Sequence, residues 1–295
     1  MKAAPFEYHR PKTLAETLHM LERVGEDGKI LAGGQSLVPM MALRLARPKV
    51  LIDINDISEL DYVREHNGGI AIGAVTRQRA LERLRVMAEW CPLVWECLPL
   101  VGHIQTRNRG TIGGSLVHND PSAELPAVAL ALDAQMVVAS SSGERILSAK
   151  EFFVMAYTTA VQDNELLTEI RFPAWPAGAG WAVLELSPRH GSFAIAGVAV
   201  RLEIDPSNIV KGVRIALFGV GHGPLRAGLA EKQLIGNMIN DSAIGEAARQ
   251  ASQEVEPYGD VQASAEYRRH VAGVLVQRSL KRALERAAAR GIQHA

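Results

Sequence analysis

Leu31-Ala32-Gly33-Gly34-Gln35-Ser36 is the stretch on which the reading of this chain turns. Lys29-Ile30-Leu31 reads as a short buried strand and runs straight into a loop of small residues. Paired glycines let backbone N–H groups converge and let a large anion lie against the main chain. Gln35 and Ser36 add side-chain donors. Taken alone, the loop reads equally well as a tight turn without a ligand. A second loop of the same design follows, Arg107-Asn108-Arg109-Gly110-Thr111-Ile112-Gly113-Gly114-Ser115, with two arginines upstream and two hydroxyls inside. Asp120-Pro121-Ser122-Ala123-Glu124 comes next and reads as the start of a helix. Two donor-rich loops on separate strand segments suit a pyrophosphate lying between them. A helix start contributes only ~0.3–1 kcal/mol to an anion, so several donors must act together. Any side chain at Gly33, Gly34, Gly113 or Gly114 is then expected to obstruct the ligand. Glu124 suits a ribose or ribityl hydroxyl, or else is a solvated carboxylate at a helix start.

Outward from the first loop, Phe6 to Tyr8 reads as extended. Thr13-Leu14-Ala15-Glu16 is a capping-box pattern ahead of Leu14, Leu18 and Leu21, and Val50 to Ile54 is a strand. A hairpin is expected at Tyr62–Glu65 and Ile70–Ile72 around Asn67-Gly68-Gly69. Helices are expected at about Arg77–Leu84, Cys91–Val101 and Leu125–Leu132. Met136–Val138 and Arg145–Leu147 form a second hairpin signal, and Glu165–Phe172 is a strand. Pro173 to Gly180 is the best linker. Strands at Ala182–Leu186, Ala194–Ile204 and Val210–Val220 follow, then helices at about Ser242–Glu254 and Ser264–Arg290. Strands succeeded by helices give the last part α+β character.

The chain has 295 residues, 47% hydrophobic and 22% charged, enough for about two globular domains. Lys+Arg and Asp+Glu balance at 32 each, which argues against a duplex nucleic-acid binder. No signal peptide or membrane span is visible, so a cytoplasmic protein is expected. Its two cysteines, Cys91 and Cys97, are too few for an iron–sulfur cluster and read as buried apolar residues. Any electrons must therefore travel on a bound organic cofactor. No metal-site spacing occurs among the nine histidines. Gly219-Val220-Gly221-His222-Gly223 has the wrong spacing for a dinucleotide fingerprint and reads as a strand-end turn. His103 and His118, near the second loop, read as solvated loop histidines, or else as edging toward a bound cofactor. The basic end (Arg278, Lys281, Arg282, Arg286, Arg290) reads as a solvated helix face.

AGGQS at 32–36 and TIGGS at 111–115 together resemble the FAD-binding medium subunit of the molybdenum hydroxylases. Relatives of that family include the carbon monoxide dehydrogenase medium subunit and the flavin domain of xanthine dehydrogenase. The resemblance continues through RNRGTIGGS at 107–115, DPSAELP at 120–126, ELLTEIRFP at 165–173 and SAEYRR at 264–269. It implies an α+β fold. Residues 1–58 and 59–175 would be the two subdomains of an FAD-binding module of the vanillyl-alcohol-oxidase (PCMH) type. Residues 178–295 would be a C-terminal α+β domain of the carbon monoxide dehydrogenase flavoprotein type. By position, Ala32, Gly33, Gly34, Gln35, Ser36, Thr111, Ile112, Gly113, Gly114 and Ser115 would hold the diphosphate of a non-covalent FAD. Glu124 falls where the family places an acidic FAD ligand, and Leu166 where an apolar residue contacts the flavin. Phe193 stands where the family often has a tyrosine covering the flavin ring; it can stack but has no hydroxyl. Glu185 stands where many relatives carry a lysine. The cysteine-rich insert of the hydroxybenzoyl-CoA reductase branch is missing.

The resemblance implies an electron-transfer subunit, with no general acid or base of its own. Substrate would be hydroxylated on a molybdopterin-binding large subunit. A [2Fe-2S] small subunit would pass electrons to FAD, and from there to an external acceptor, within a pair of heterotrimers. The rival readings are a free-standing flavin reductase, resembling the UDP-sugar enolpyruvyl reductases, and a non-catalytic nucleotide-binding assembly module.

Overall fold

The structure, a computed structural model, describes residues 2–293, and side chains as far as residue 289. The first unit contains β1 (Glu7–His9), α1 (Leu14–Val24), β2 (Gly28–Leu31), α2 (Leu37–Ala42) and β3 (Val50–Asp53). Its three strands are parallel, with β3 in the middle. Every residue of β3 is buried, as a central parallel strand requires. Thr13 caps α1 by accepting the Glu16 N–H at 3.2 Å. Glu16 in turn accepts the Lys12 N–H, one residue earlier than in a capping box.

The second unit opens with β4 (Val63–His66), β5 (Gly69–Gly73), α3 (Gln78–Arg83), α4 (Met87–Trp90) and α5 (Pro92–Cys97). Then come α6 (Ile104–Arg109), α7 (Ile112–His118), α8 (Glu124–Ala131), β6 (Gln135–Ser140) and β7 (Gly143–Ser148). It closes with α9 (Ala149–Phe152), the small β8 (Phe153–Met155) and β9 (Thr158–Thr159) pair, and β10 (Leu166–Phe172). Its antiparallel sheet runs β4-β5-β10-β6-β7. The expected helix over Cys91–Val101 divides into α5 and a 3₁₀ turn at Leu98–Leu100, where Pro99 cannot extend the α-helical ladder.

The third unit contains β11 (Gly180–Leu186), β12 (Ala196–Ile204), β13 (Val210–Phe218), β14 (Leu225–Arg226), α10 (Gly228–Leu234), α11 (Asp241–Glu254) and α12 (Ala265–Gln293). Its four strands form an antiparallel meander. Alternation divides the sheet's side chains between two cores. Val198, Val200, Leu202, Val213, Ile215 and Leu217 pack with the helices that follow. Val183, Ala199, Ala216 and Phe218 join the core of the second unit instead.

Helix α8 is the hinge of this arrangement. All eight residues of Glu-Leu-Pro-Ala-Val-Ala-Leu-Ala are buried, as befits a helix apolar nearly all round. The fold as a whole is thus α+β, with a small parallel β-α-β-α-β unit at its start. Among the described residues no helix is long and apolar enough to cross a membrane.

The basic end departs from expectation at Arg286, while Arg278 and Arg282 are exposed as expected. Arg286 bonds to the Glu96 carboxylate and the Trp181 carbonyl, and its guanidinium lies 4.5 Å from the Trp181 ring centroid. Arg282 reaches Glu96 at 3.4 Å and Lys281 reaches Asp241 at 2.7 Å. At Arg286 the helix is therefore docked, because a long cationic side chain covers an apolar ring while its head finds a carboxylate. The Arg290 side chain lies outside the described residues. Gly219–Gly223 is a turn after β13, as expected.

One buried ion cluster sets the acid response. Glu169 of β10 is 3% exposed and accepts from the Tyr62 hydroxyl and from Arg64, each at 2.6 Å, and from Arg171. Burial pushes its pKa up, but these three donors outweigh it and hold the carboxyl at about 2. The depressed value stabilises the fold above the ordinary 4.5, and that contribution is lost as pH falls from there toward 2. Glu169→Gln should therefore flatten the fall in melting temperature between pH 4.5 and 2; an unchanged acid limb would refute this.

Candidate functional site

A cleft of about 330 Å³ opens at the end of β2, lined by residues 31–35, Val38, Pro39, Asp53, Asn55 and Arg109. The first small-residue loop is its floor, because β2 ends there and α2 begins at Leu37. Gly34 has φ +73°, a conformation costly to residues with a Cβ. Among the described residues, the backbone N–H groups of Gly33, Gly34, Gln35 and Ser36 meet no acceptor. Four successive free amides in a turn form a concave donor array suited to an anion.

The second loop forms the wall. Its amides are already used: Ile112 donates to Thr76 at 3.1 Å and Gly113 to Ala74 at 3.0 Å. Gly114 donates to the Thr111 hydroxyl at 3.0 Å, and Ser115 to the Thr111 carbonyl at 3.2 Å. Of this loop, Arg109 lines the cleft, while the hydroxyl of Thr111, a residue 2% exposed, is taken up in capping α7.

The glycines act differently from expectation. A Cβ on Gly33 would fall 2.4 Å from the Arg109 carbonyl oxygen and 2.7 Å from Gly110 Cα. A Cβ on Gly113 would fall 2.6 Å from the Ala74 carbonyl oxygen, and one on Gly114 2.7 Å from the Thr111 hydroxyl. At these three positions the missing side chain makes room for protein, letting the loops and the strand end pack against one another. The close approach is loop on loop.

Three residues that the motif does not reveal tie the loops together. Asn55 donates to the Ala32 carbonyl at 2.7 Å and to Asp53 at 2.6 Å. Arg77 donates to the Asn55 side-chain oxygen at 2.6 Å and to the Arg109 carbonyl. Asp53 also accepts the Tyr8 hydroxyl. Burial raises the Asp53 pKa, but the Tyr8 and Asn55 donors outweigh it and keep the carboxyl ionised, below its ordinary range. Arg77 is lowered by burial and then by the charge of Arg109. Arg109 is the cation of the cleft's lining, which also holds the ionised Asp53, while the Arg77 guanidinium stands behind it, bonded to Asn55 and to the Arg109 carbonyl. No ion pair of this structure engages Arg109 among the described residues.

The two arginines of the second loop therefore divide their work. Arg107 is 5% exposed and points inward, donating to Glu82 at 2.9 Å and to the Val101 and Gly102 carbonyls at 3.1 Å each. It fixes the approach to the loop, while Arg109 alone is free to meet a ligand.

The other candidate residues are dispersed. Ile112 is wholly buried in the main core, and Leu166 packs behind Ala32 in the core of the first unit. Both support the loops from behind. Phe193 is 60% exposed, on a loop where a Cβ at Gly191 would fall 2.4 Å from the His103 ring. His118 is half-buried at the end of α7, its ring 5.2 Å from that of Tyr157, and burial lowers its pKa. Glu124 is no solvated carboxylate: it is 6% exposed as the first residue of α8. Burial pushes its pKa up to about 8.

The family model for the FAD-binding domain in molybdopterin dehydrogenase matches residues 4–175, and that for the CO dehydrogenase flavoprotein C-terminal domain matches residues 181–283. The chain is 40% identical over 287 residues to the 6-hydroxypseudooxynicotine dehydrogenase complex subunit alpha of Paenarthrobacter nicotinovorans, covering 97% of each chain. It is 40% identical over 283 residues to the carbon monoxide dehydrogenase medium chain of Hydrogenophaga pseudoflava, covering 96% of this chain and 98% of that one. A solved structure of carbon monoxide dehydrogenase from the same organism superposes with a TM-score of 0.95, covering 97% of this chain and 99% of that one.

Proposed function

Since this chain belongs to the family of FAD-binding subunits of molybdopterin dehydrogenases, we propose that it relays electrons from the iron–sulfur clusters of a partner subunit, through FAD, to an external acceptor. It is an oxidoreductase subunit with FAD as its cofactor. The observation that carries the relay reading is the row of unpaired amides at Gly33–Ser36 facing Arg109, a fit for a diphosphate. Bound FAD supplies the redox chemistry, and the protein supplies binding and orientation. In this reading the first loop donates four N–H groups, Arg109 and the second loop close over the other side, and Arg77 keeps the two loops in register. Residues 32–36 and 111–115 form the diphosphate site, with Ile112 and Leu166 as its backing. Glu124 and Phe193 serve the remainder of the cofactor. The FAD is non-covalent; both cysteines are buried and offer no thiol for a linkage.

With two cysteines this chain cannot supply four thiolates; by its family we assign the clusters to a [2Fe-2S] small subunit and the hydroxylating centre to a molybdopterin-binding large subunit. The domain division at 1–58, 59–175 and 178–295, a cytoplasmic location and a pair of heterotrimers complete the reading. Acid precipitation of the FAD-loaded chain should release all flavin into the supernatant. Co-expressed with both partners, the chain should elute as one complex whose substrate reduces the flavin. Flavin retained in the pellet, or substrate-driven flavin reduction by the isolated chain, would overturn the proposal.

A further inference from the structure

The cleft at the end of β2 holds a carboxylate where an anion is to bind. Among the described residues that line it, Arg109 is the one cation and Asp53 the one anion. Asp53 arrives there through the sheet register. It ends β3 and pairs with Leu31, which ends β2 and leads into the row of free amides. Its side chain is held from two sides. Oδ2 accepts the Tyr8 hydroxyl at 2.5 Å, and Oδ1 accepts the Asn55 N–H at 2.9 Å and the Asn55 side-chain amide at 2.6 Å. A carboxylate has about four acceptor sites, so one remains on Oδ2. The nearby Arg10 is bonded to Asp56 instead.

A carboxylate in such a cleft opposes any anion, and the opposition grows with the charge the anion brings. A phosphate esterified on both sides carries a single negative charge, whereas a terminal phosphate carries about 1.5 to 2. One guanidinium and a row of amides offset the first better than the second, because amides supply dipoles without net charge. Val38 and Pro39 of α2 add apolar surface to the lining, which suits an uncharged organic group beyond the phosphates.

We propose that Asp53 is a specificity-determining residue, admitting a diphosphate esterified at both ends and turning away one with a free end. The cleft then takes a dinucleotide and rejects the free nucleoside diphosphate that forms half of it. This rests on the diphosphate reading above. The remaining acceptor site on Oδ2 is open to a sugar hydroxyl of the esterified ligand, a donor that inorganic pyrophosphate lacks. Burial raises the Asp53 pKa, but the hydrogen bonds from Tyr8 and Asn55 outweigh it and keep the charge in place. Asn55 also donates to the Ala32 carbonyl at 2.7 Å, so the carboxylate and the amide row keep a fixed separation.

Competition against FAD in the FAD-free full chain tests this, with inorganic pyrophosphate and ADP as probes. Asp53→Asn keeps the shape and removes the charge, so at low salt it should tighten both probes about tenfold. FAD should change little, because relief of the same repulsion is offset by a weaker hydrogen bond from its sugar hydroxyl. A purely supporting role for Asp53 would instead weaken all three ligands together. Tyr8→Phe removes a hydrogen bond and keeps the charge, and should preserve the wild-type preference for FAD. Arg109→Met checks the diphosphate reading itself: FAD and pyrophosphate both indifferent to it would overturn that reading and this inference with it. Where Arg109→Met does weaken FAD, an unchanged preference in Asp53→Asn, or joint weakening of all three ligands, would overturn the inference alone. Wild-type chain that holds pyrophosphate or ADP as tightly as FAD would overturn it even if Asp53→Asn fails to fold.

Discussion

Gly33→Ala should yield a chain that folds but purifies with at most a tenth of the wild-type flavin. The new methyl would sit 2.4 Å from the Arg109 carbonyl oxygen, so the second loop must withdraw. Overpacking of this kind costs about 1–3 kcal/mol of stability. The larger effect falls on the ligand. Arg109 moves with its own carbonyl, and the guanidinium leaves the free amides it faces. Gly34→Ala is the contrast: φ +73° adds backbone strain, but its Cβ would meet only the ends of Leu31 and Val38, each at 3.1 Å. Flavin-to-protein absorbance and thermal melting report the two effects separately. A Gly33→Ala chain with full flavin would show that the loops do not close on the diphosphate.

Arg107→Met and Arg109→Met should have opposite signatures, although the residues are two apart on one helix. Removing the Arg107 guanidinium leaves the Val101 and Gly102 carbonyls without their donor and takes from Glu82 one of its two arginine partners. Breaking a buried ion pair from one side costs roughly 3–5 kcal/mol. Urea midpoints of the FAD-free proteins should show this for Arg107→Met and almost nothing for Arg109→Met. FAD affinity should behave the other way. A charged hydrogen bond to phosphate is worth about 1.5–3 kcal/mol, so Arg109→Met should weaken binding roughly 10- to 100-fold. Similar urea midpoints for the two variants would refute the division of labour.

That division could not have been read from the motif. Arg107 and Arg109 stand in one glycine-rich passage with the same charge, and only the neighbours brought by distant segments, Glu82 for one and the open cleft for the other, distinguish them. Sequence does show where the loops are, because a strand running into paired glycines is a local pattern. It shows the α+β order of the C-terminal part for the same reason. It does not show which way the glycines point, since the Cβ directions of Gly33 and Gly113 depend on where Arg109 and Ala74 come to rest. Nor does it reveal Asn55 and Arg77, which hold the two loops together across 22 residues of chain. Glu124 reads in sequence as a polar residue at a helix start. Its burial follows from the C-terminal sheet closing over α8, a contact made by strands that begin at residue 180.

Helix α8 also determines whether the chain can be taken apart. One face of the C-terminal sheet shares its core with the second unit, and Val183, Ala199, Ala216 and Phe218 belong to the same apolar cluster as Leu125, Val128 and Leu130. Cutting at the proline-rich passage 173–179 would expose that cluster on both fragments. Neither half is then an autonomous folding unit, and heat should melt the chain in one cooperative transition despite its two recognisable modules.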